Sequence, residues 1–177
     1  RLPKPIIDVF ADSQYSGFWD ASRERYVVFG RVGGRGRSLG RSESVEFAHL
    51  APLKLVAQTS DRDPPNSDLY NSAALKYAHA PNVYLMFPSL FQHGPDTLDI
   101  RLAVSRDGIR WSRPDRKTAF IALGKGNVFD SGSLYMGQGM IRVGDELWLY
   151  YSGSPLRHQG AELENLTKPE NARVYSR

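Results

Sequence analysis

Apolar positions in this chain recur at every second residue over short runs, and turn residues punctuate the runs. Asp99-Ile100-Arg101-Leu102-Ala103-Val104 alternates polar and apolar, as a strand with one buried face does. Met140-Ile141-Arg142-Val143 and Glu146-Leu147-Trp148 flank Gly144-Asp145, a pair suited to a tight hairpin turn. The nearest approach to helical spacing lies between Ser42 and Leu53, with Val45, Phe47, Ala48, Leu50 and Leu53 apolar. That stretch aligns with a turn elsewhere in the chain, so an irregular turn is expected there. The predicted fold class is all-β.

The strand pattern repeats. An aspartate, a small or polar stretch, an apolar strand, a turn and an aromatic-rich strand follow Asp12, Asp68 and Asp130 in turn. The second strands are Tyr26-Val27-Val28-Phe29, Val83-Tyr84-Leu85-Met86-Phe87 and Leu147-Trp148-Leu149-Tyr150-Tyr151. The starts lie 56 and 62 residues apart. A repeat of that length, built of strands, predicts a radial array of four-stranded antiparallel blades, a β-propeller. The units are placed at 8–60, 64–124 and 126–177, about two and a half blades of one domain. The third stops before its outer strands, so the chain is expected to be a fragment of a longer propeller, with Val174 and Tyr175 beginning the next strand.

Composition narrows the function classes. Hydrophobic residues at 41% and aromatics at 11% exclude a disordered chain, and 16 glycines with 11 prolines fit frequent turns. No apolar run approaches the roughly 20 residues of a membrane-spanning helix, and no membrane partner is expected. The absence of cysteine excludes disulfides and thiolate chemistry and leaves the compartment open. The net charge of +4 raises nucleic acid as a partner, since 17 of the 23 basic residues are arginine. Several crowd into Gly30-Arg31-Val32-Gly33-Gly34-Arg35-Gly36-Arg37. That segment is assigned instead to a flexible connection within the first blade, and no nucleic-acid partner is expected. Its glycines are not followed by Gly-Lys-Ser/Thr, so they make no phosphate cradle.

Carboxylates are the remaining chemistry. His49, His79, His93 and His158 show no metal-ligand spacing, and no Gly-x-Ser-x-Gly elbow occurs. Neither a metal nor a cofactor is expected. Radial repetition brings equivalent blade positions toward one axis, so Asp12, Asp68 and Asp130 are candidate catalytic acids facing a common depression. Paired carboxylates are what glycosidic bond hydrolysis requires. Taken alone, each reads first as an ordinary turn aspartate bonding its own backbone. Tyr70, Asn71, Tyr135 and Gln138 follow the acids closely and are candidate binders of sugar hydroxyls, with Arg62 and Asp63 as a linker turn or a rim contact. Asp107-Gly108 is assigned to a structural turn, Asp20 to a hairpin turn, and Trp19, Trp111 and Trp148 to blade core.

Several runs resemble a known group. Ser16-Gly17-Phe18-Trp19-Asp20, Asp63-Pro64-Pro65 before Asp68-Leu69-Tyr70, and Leu102 through Trp111 are similar to segments of five-bladed glycoside-hydrolase propellers. So are Asp130-Ser131-Gly132 and Tyr150-Tyr151-Ser152-Gly153. These are the relatives of arabinanases, levansucrases and invertases. The resemblance implies a five-bladed fold, a carbohydrate ligand or substrate, and an acidic trio of a base or nucleophile Asp, an orienting Asp and an acid Glu. Asp12 and Asp68 match the first two by position. The third copy carries Asp130 where the pattern has Glu. Two functions therefore stand: a glycosidase acting through inner-strand carboxylates, or a non-catalytic propeller presenting a sugar- or protein-binding face.

Overall fold

The computed structural model describes residues 4–7, 14–80 and 82–158. Asp12, Val174 and Tyr175 lie outside the described residues, which contain strands and turns and no helix. In the first unit β1 (Ser16–Asp20), β2 (Arg25–Gly34), β3 (Gly36–Ser44) and β4 (Lys54–Ala57) form one antiparallel sheet in sequence order. This is a propeller-type blade. The Ser42–Leu53 stretch finishes β3 and then turns, without a helix.

The second unit contains β5 (Ser67–Leu69), β6 (Ala74–Lys76), β7 (Tyr84–Met86), β8 (Ser89–Gln92), β9 (Thr97–Ile100), β10 (Ala103–Ser105) and β11 (Trp111–Ser112). These segments are halves of longer bent strands. Ser89 pairs with Ile100 in β8–β9 and Met86 with Ala103 in β7–β10, so one hairpin register continues across the bend. The break in its first arm falls at Phe87-Pro88, where proline cannot donate to the ladder. The unit is thus a second four-stranded meander, bent across its middle. In the third unit β12 (Ser133–Met136), β13 (Ile141–Val143), β14 (Glu146–Trp148) and β15 (Tyr151–Ser154) make a single hairpin. It turns at Gly144-Asp145 as the sequence predicts, with Gly144 at φ 62°. One parallel bridge, Ser133 to Leu98, joins β12 to β9.

The blades stack face to face through two apolar layers. Val27, Phe29 and Leu39 of the first blade pack with Leu69, Ala74, Met86, Leu90 and Ala103 of the second. On the opposite face, Ala73, Phe87 and Ile100 pack with Leu134 and Met136 of the third. Strand alternation explains the sorting: Met86 faces one layer, and its neighbours Leu85 and Phe87 face the other. Trp111 joins the first layer, its ring edge-on to Phe29 at 5.7 Å. Trp19 and Trp148 do not behave as core and stay 48% and 45% exposed. Phe18 takes the inward position on β1, which leaves Trp19 on the opposite face against Tyr26.

Polar ties complete the stacking near the inner strands. Ser16 Oγ lies 2.9 Å from Ser72 Oγ and accepts the Ala74 N–H at 3.0 Å. Asp20, fully buried at the end of β1, accepts from Tyr84 and Lys76 of the second blade and from Ser22. Ser89 Oγ donates to the Leu134 carbonyl at 2.8 Å. The Asp107-Gly108 turn is the structural one expected. Asp107 Oδ1 accepts the N–H groups of Ile109 and Arg110 at 2.9 and 2.8 Å, and Gly108 adopts φ +68°.

Candidate functional site

The Gly- and Arg-rich segment is an ordered ribbon rather than a slack connection. Strand β1 pairs with β2 only as far as Phe29, and β4 pairs with β3 only from Leu39 onward. Beyond those points Val32–Gly34 and Gly36–Ser38 pair with each other alone, with Arg35 at the tip. Directly opposed residues share a face, so Arg31, Leu39 and Arg37 lie on the side that carries Phe29. Along this face the ribbon changes from apolar to cationic as it leaves the blade. The arginines therefore arrive over the second blade.

There they meet Asp68. Its Oδ2 accepts the Arg37 N–H at 3.3 Å, the Arg37 guanidinium at 3.2 Å and the His93 Nε2–H at 3.0 Å. Asp68 is 2% exposed, and its Oδ1 is buried with no hydrogen-bond partner among the described residues. The Arg37 guanidinium also lies over the rings of Tyr70 and Phe91 at 5.2 and 5.3 Å, and Arg31 over Tyr70 at 4.9 Å. The third blade contributes from the other side. Tyr135 hydroxyl and His158 Nδ1 are 2.9 Å apart, and Tyr70 packs edge-on to both rings. Burial, then proximity to Tyr70, pushes the Tyr135 hydroxyl up to about 12. Burial and the Arg37 charge push the His158 imidazole below its usual value.

Beside this cluster opens a polar depression of about 670 Å³, lined by Arg35, Gly36, Ser60, Asp61, Asp63, Asn66, Asp68 and His93 among others. Asp63 is 8% exposed and forms its wall. It receives both Arg113 guanidinium nitrogens at 2.5 and 2.6 Å, Arg116 at 3.1 Å and the Ser60 N–H at 2.8 Å. Burial works to raise its pKa, but the Arg113 bonds and the other donors outweigh it and hold it below the ordinary value. Arg62 sits exposed on the same turn, its N–H donating to Ser60 Oγ at 3.3 Å.

The remaining candidates occupy different places. Asn71 is buried and satisfied, donating to Gln14 Oε1 and accepting the Ser89 N–H, both at 2.9 Å. Gln138 Nε2 donates to the Tyr15 carbonyl, which ties the third unit to the first. Asp130 accepts the Tyr151 hydroxyl at 3.0 Å and is not among the residues lining the depression. Among the described residues the three units bring together Arg31 and Arg37, Asp68, Tyr70 and His93, and Tyr135 and His158. Four of these were not anticipated. The period-two spacing of Arg31, Arg35 and Arg37 was the available signal for the ribbon. Nothing local marked His93 or His158.

The fold is all-β, of propeller-type antiparallel blades. No protein-family model matches the sequence, and a search of curated proteins finds no match. Solved structures do match in fold. One described as a glycoside hydrolase is similar with a TM-score of 0.62 at 18% identity, over 86% of this chain and 47% of that one. An N-acetylgalactosamine deacetylase from F. plautii, in complex with blood group B trisaccharide, is similar with a TM-score of 0.59 at 15% identity, over 77% and 39%. The chain thus spans less than half the length of either structure.

Proposed function

We propose that this chain forms part of a carbohydrate-active propeller that hydrolyses a glycosidic bond through inner-strand carboxylates. The observation that carries this reading is Asp68, a buried carboxylate held by Arg37 and His93 at the wall of an open polar depression. Such a carboxylate is fixed in place, which suits a group that orients or stabilises a reacting centre. The descriptions of the two similar structures, a glycoside hydrolase and a deacetylase with a bound trisaccharide, support a glycan as the ligand. In this reading Asp12 acts as base, Asp68 orients, and Asp130 stands near the axis. Tyr70, Tyr135, Arg62 and Asp63 shape the surroundings, and Asn71 and Gln138 hold the units in register.

The test is hydrolysis of a panel of aryl and alkyl glycosides by the protein and by its Asp12→Asn and Asp68→Asn variants. Turnover by the parent and its loss in both variants, with thermal unfolding unchanged in form, is the expected result. The second reading, a binding face without catalysis, is favoured by the position of Asp130 away from the depression lining. It predicts glycan retention on an array with no glycoside cleaved.

A further inference from the structure

We propose that His93 is the general acid of the Asp68 site, delivering a proton to the oxygen of the departing alcohol. The inference rests on the glycosidase reading above and names a group that reading lacks, since the third repeat offers no glutamate. Its basis is geometric. His93 stands at the wall of the depression with its side chain one-third exposed. Its Nε2 is 3.0 Å from Asp68 Oδ2, and its ring packs on Phe91 at a centroid distance of 4.3 Å. A carboxylate paired with Arg37 can only accept, so Nε2 carries a hydrogen and points it at Asp68. That contact fixes the ring orientation, as a carboxylate does for a catalytic imidazole. Nδ1 takes no hydrogen bond from the described residues, and in the imidazolium it is the nitrogen with a proton to give. His158 has no such freedom: its Nδ1 is engaged by Tyr135, and it does not line the depression.

The step balances with water alone. The Nδ1 proton passes to the glycosidic oxygen while the bond from that oxygen to the anomeric carbon breaks, its electron pair leaving with the alcohol. A water oxygen bonds to the anomeric carbon and gives its proton to Asp12, the base of that reading, which passes it to solvent, from which the imidazole is reprotonated. Asp68, itself held by Arg37, keeps the ring in place, and neither residue transfers a proton.

The experiment compares leaving groups. A general acid matters when the departing oxygen is strongly basic and little when it is not, and its loss costs about 10²–10⁴-fold in rate. His93→Gln should lower kcat/KM for a methyl glycoside by about 100-fold or more, and for the matching dinitrophenyl glycoside by less than about threefold. Free imidazole should restore the methyl glycoside rate in His93→Gly. Equal losses on both substrates without rescue by imidazole would make His93 a structural partner of Asp68 and overturn the proposal, as would unchanged rates on both. If the parent cleaves neither substrate while the Asp68 depression still binds glycan, the glycosidase reading fails, and the acid role fails with it. If the parent cleaves both and only the His93 variants behave as the parent, the acid role alone is wrong.

Discussion

Arg37 holds Asp68 twice, through its backbone N–H at 3.3 Å and its guanidinium at 3.2 Å, across 31 residues of sequence and from one blade to the next. The contact is local in space because the β2–β3 ribbon overhangs the second blade. Removing Arg37 leaves a buried carboxylate with His93 as its remaining side-chain donor. Arg37→Ala is therefore expected to destabilise by about 1–3 kcal/mol, measured by urea unfolding. Arg37→Lys should recover only part of this, because it restores a charge without the planar group over Tyr70 and Phe91.

Gly36 makes that overhang possible. It adopts φ +67°, and a Cβ added there would stand 3.0 Å from Asp68 Cβ. Gly36→Ala is expected to cost about 1 kcal/mol or more, from the left-handed backbone and the crowding together. Loss of turnover should exceed what the fall in stability explains, because Asp68 must shift. Thermal unfolding and kinetics on the same sample separate the two effects.

Asp20 supplies a pH-dependent share of stability. Burial acts to raise its pKa, but the hydrogen bonds from Lys76, Tyr84 and Ser22 outweigh burial and bring it down from 3.8 to about 2. A carboxyl depressed on folding stabilises fully above its unfolded value, and the contribution disappears as pH falls through the folded value. The expected loss is about 2 kcal/mol between roughly pH 5 and pH 2. Unfolding midpoints measured across that range should drop in the parent, and the drop should be smaller in Asp20→Asn.

Arg113 and Asp63 form a buried pair that fixes the turn between the first two blades to the segment after β11. Arg113→Met should destabilise by about 3–5 kcal/mol, because the carboxylate remains buried with only Arg116 and Ser60 as side-chain partners. Pairing the change with Asp63→Leu should return much of that loss. A double-mutant cycle in denaturant provides the measurement.

The blades were legible because period-two alternation and turn pairs act locally. The Gly144-Asp145 hairpin follows from neighbouring residues alone and occurs as predicted, whereas Asp99–Val104 is interrupted at Arg101-Leu102 between β9 and β10, with Asp99 and Arg101 both buried. The bend at Phe87-Pro88 is marked by its proline and falls where the predicted strand Val83–Phe87 ends, but its continuation as β8 was not read from the sequence. The site was far less legible. Asp68 could be picked out from its repeat position, but its partners come from residues 31 positions before and 25 after it. Arg37 looked like loop charge because a ribbon paired only with itself has no apolar alternation to announce it. His158 enters through a third unit, by way of a hairpin whose register sets it beside Tyr135. Such meetings depend on how whole blades are stacked, and no short window encodes that.

The outer portion of the β2–β3 ribbon pairs with no other strand of its own blade and is held instead by Asp68 of the next one, and this separates two kinds of change in the molecule. Residues from Tyr26 to Phe29 and from Leu39 to Arg41 are bound into the blade, so their alteration is felt in the core. Between them, from Val32 to Ser38, the ribbon pairs its two arms with each other and rests Gly36 and Arg37 on Asp68 of the next blade. It works as a cantilever: its anchorage belongs to one module, and its tip furnishes the chemical surroundings of an acid in the next. A change at Arg37 or Gly36 is therefore felt at Asp68 in the next module, whereas exchange of the exposed tip residue Arg35 leaves that acid's own bonds in place and offers a direct route to altered selectivity.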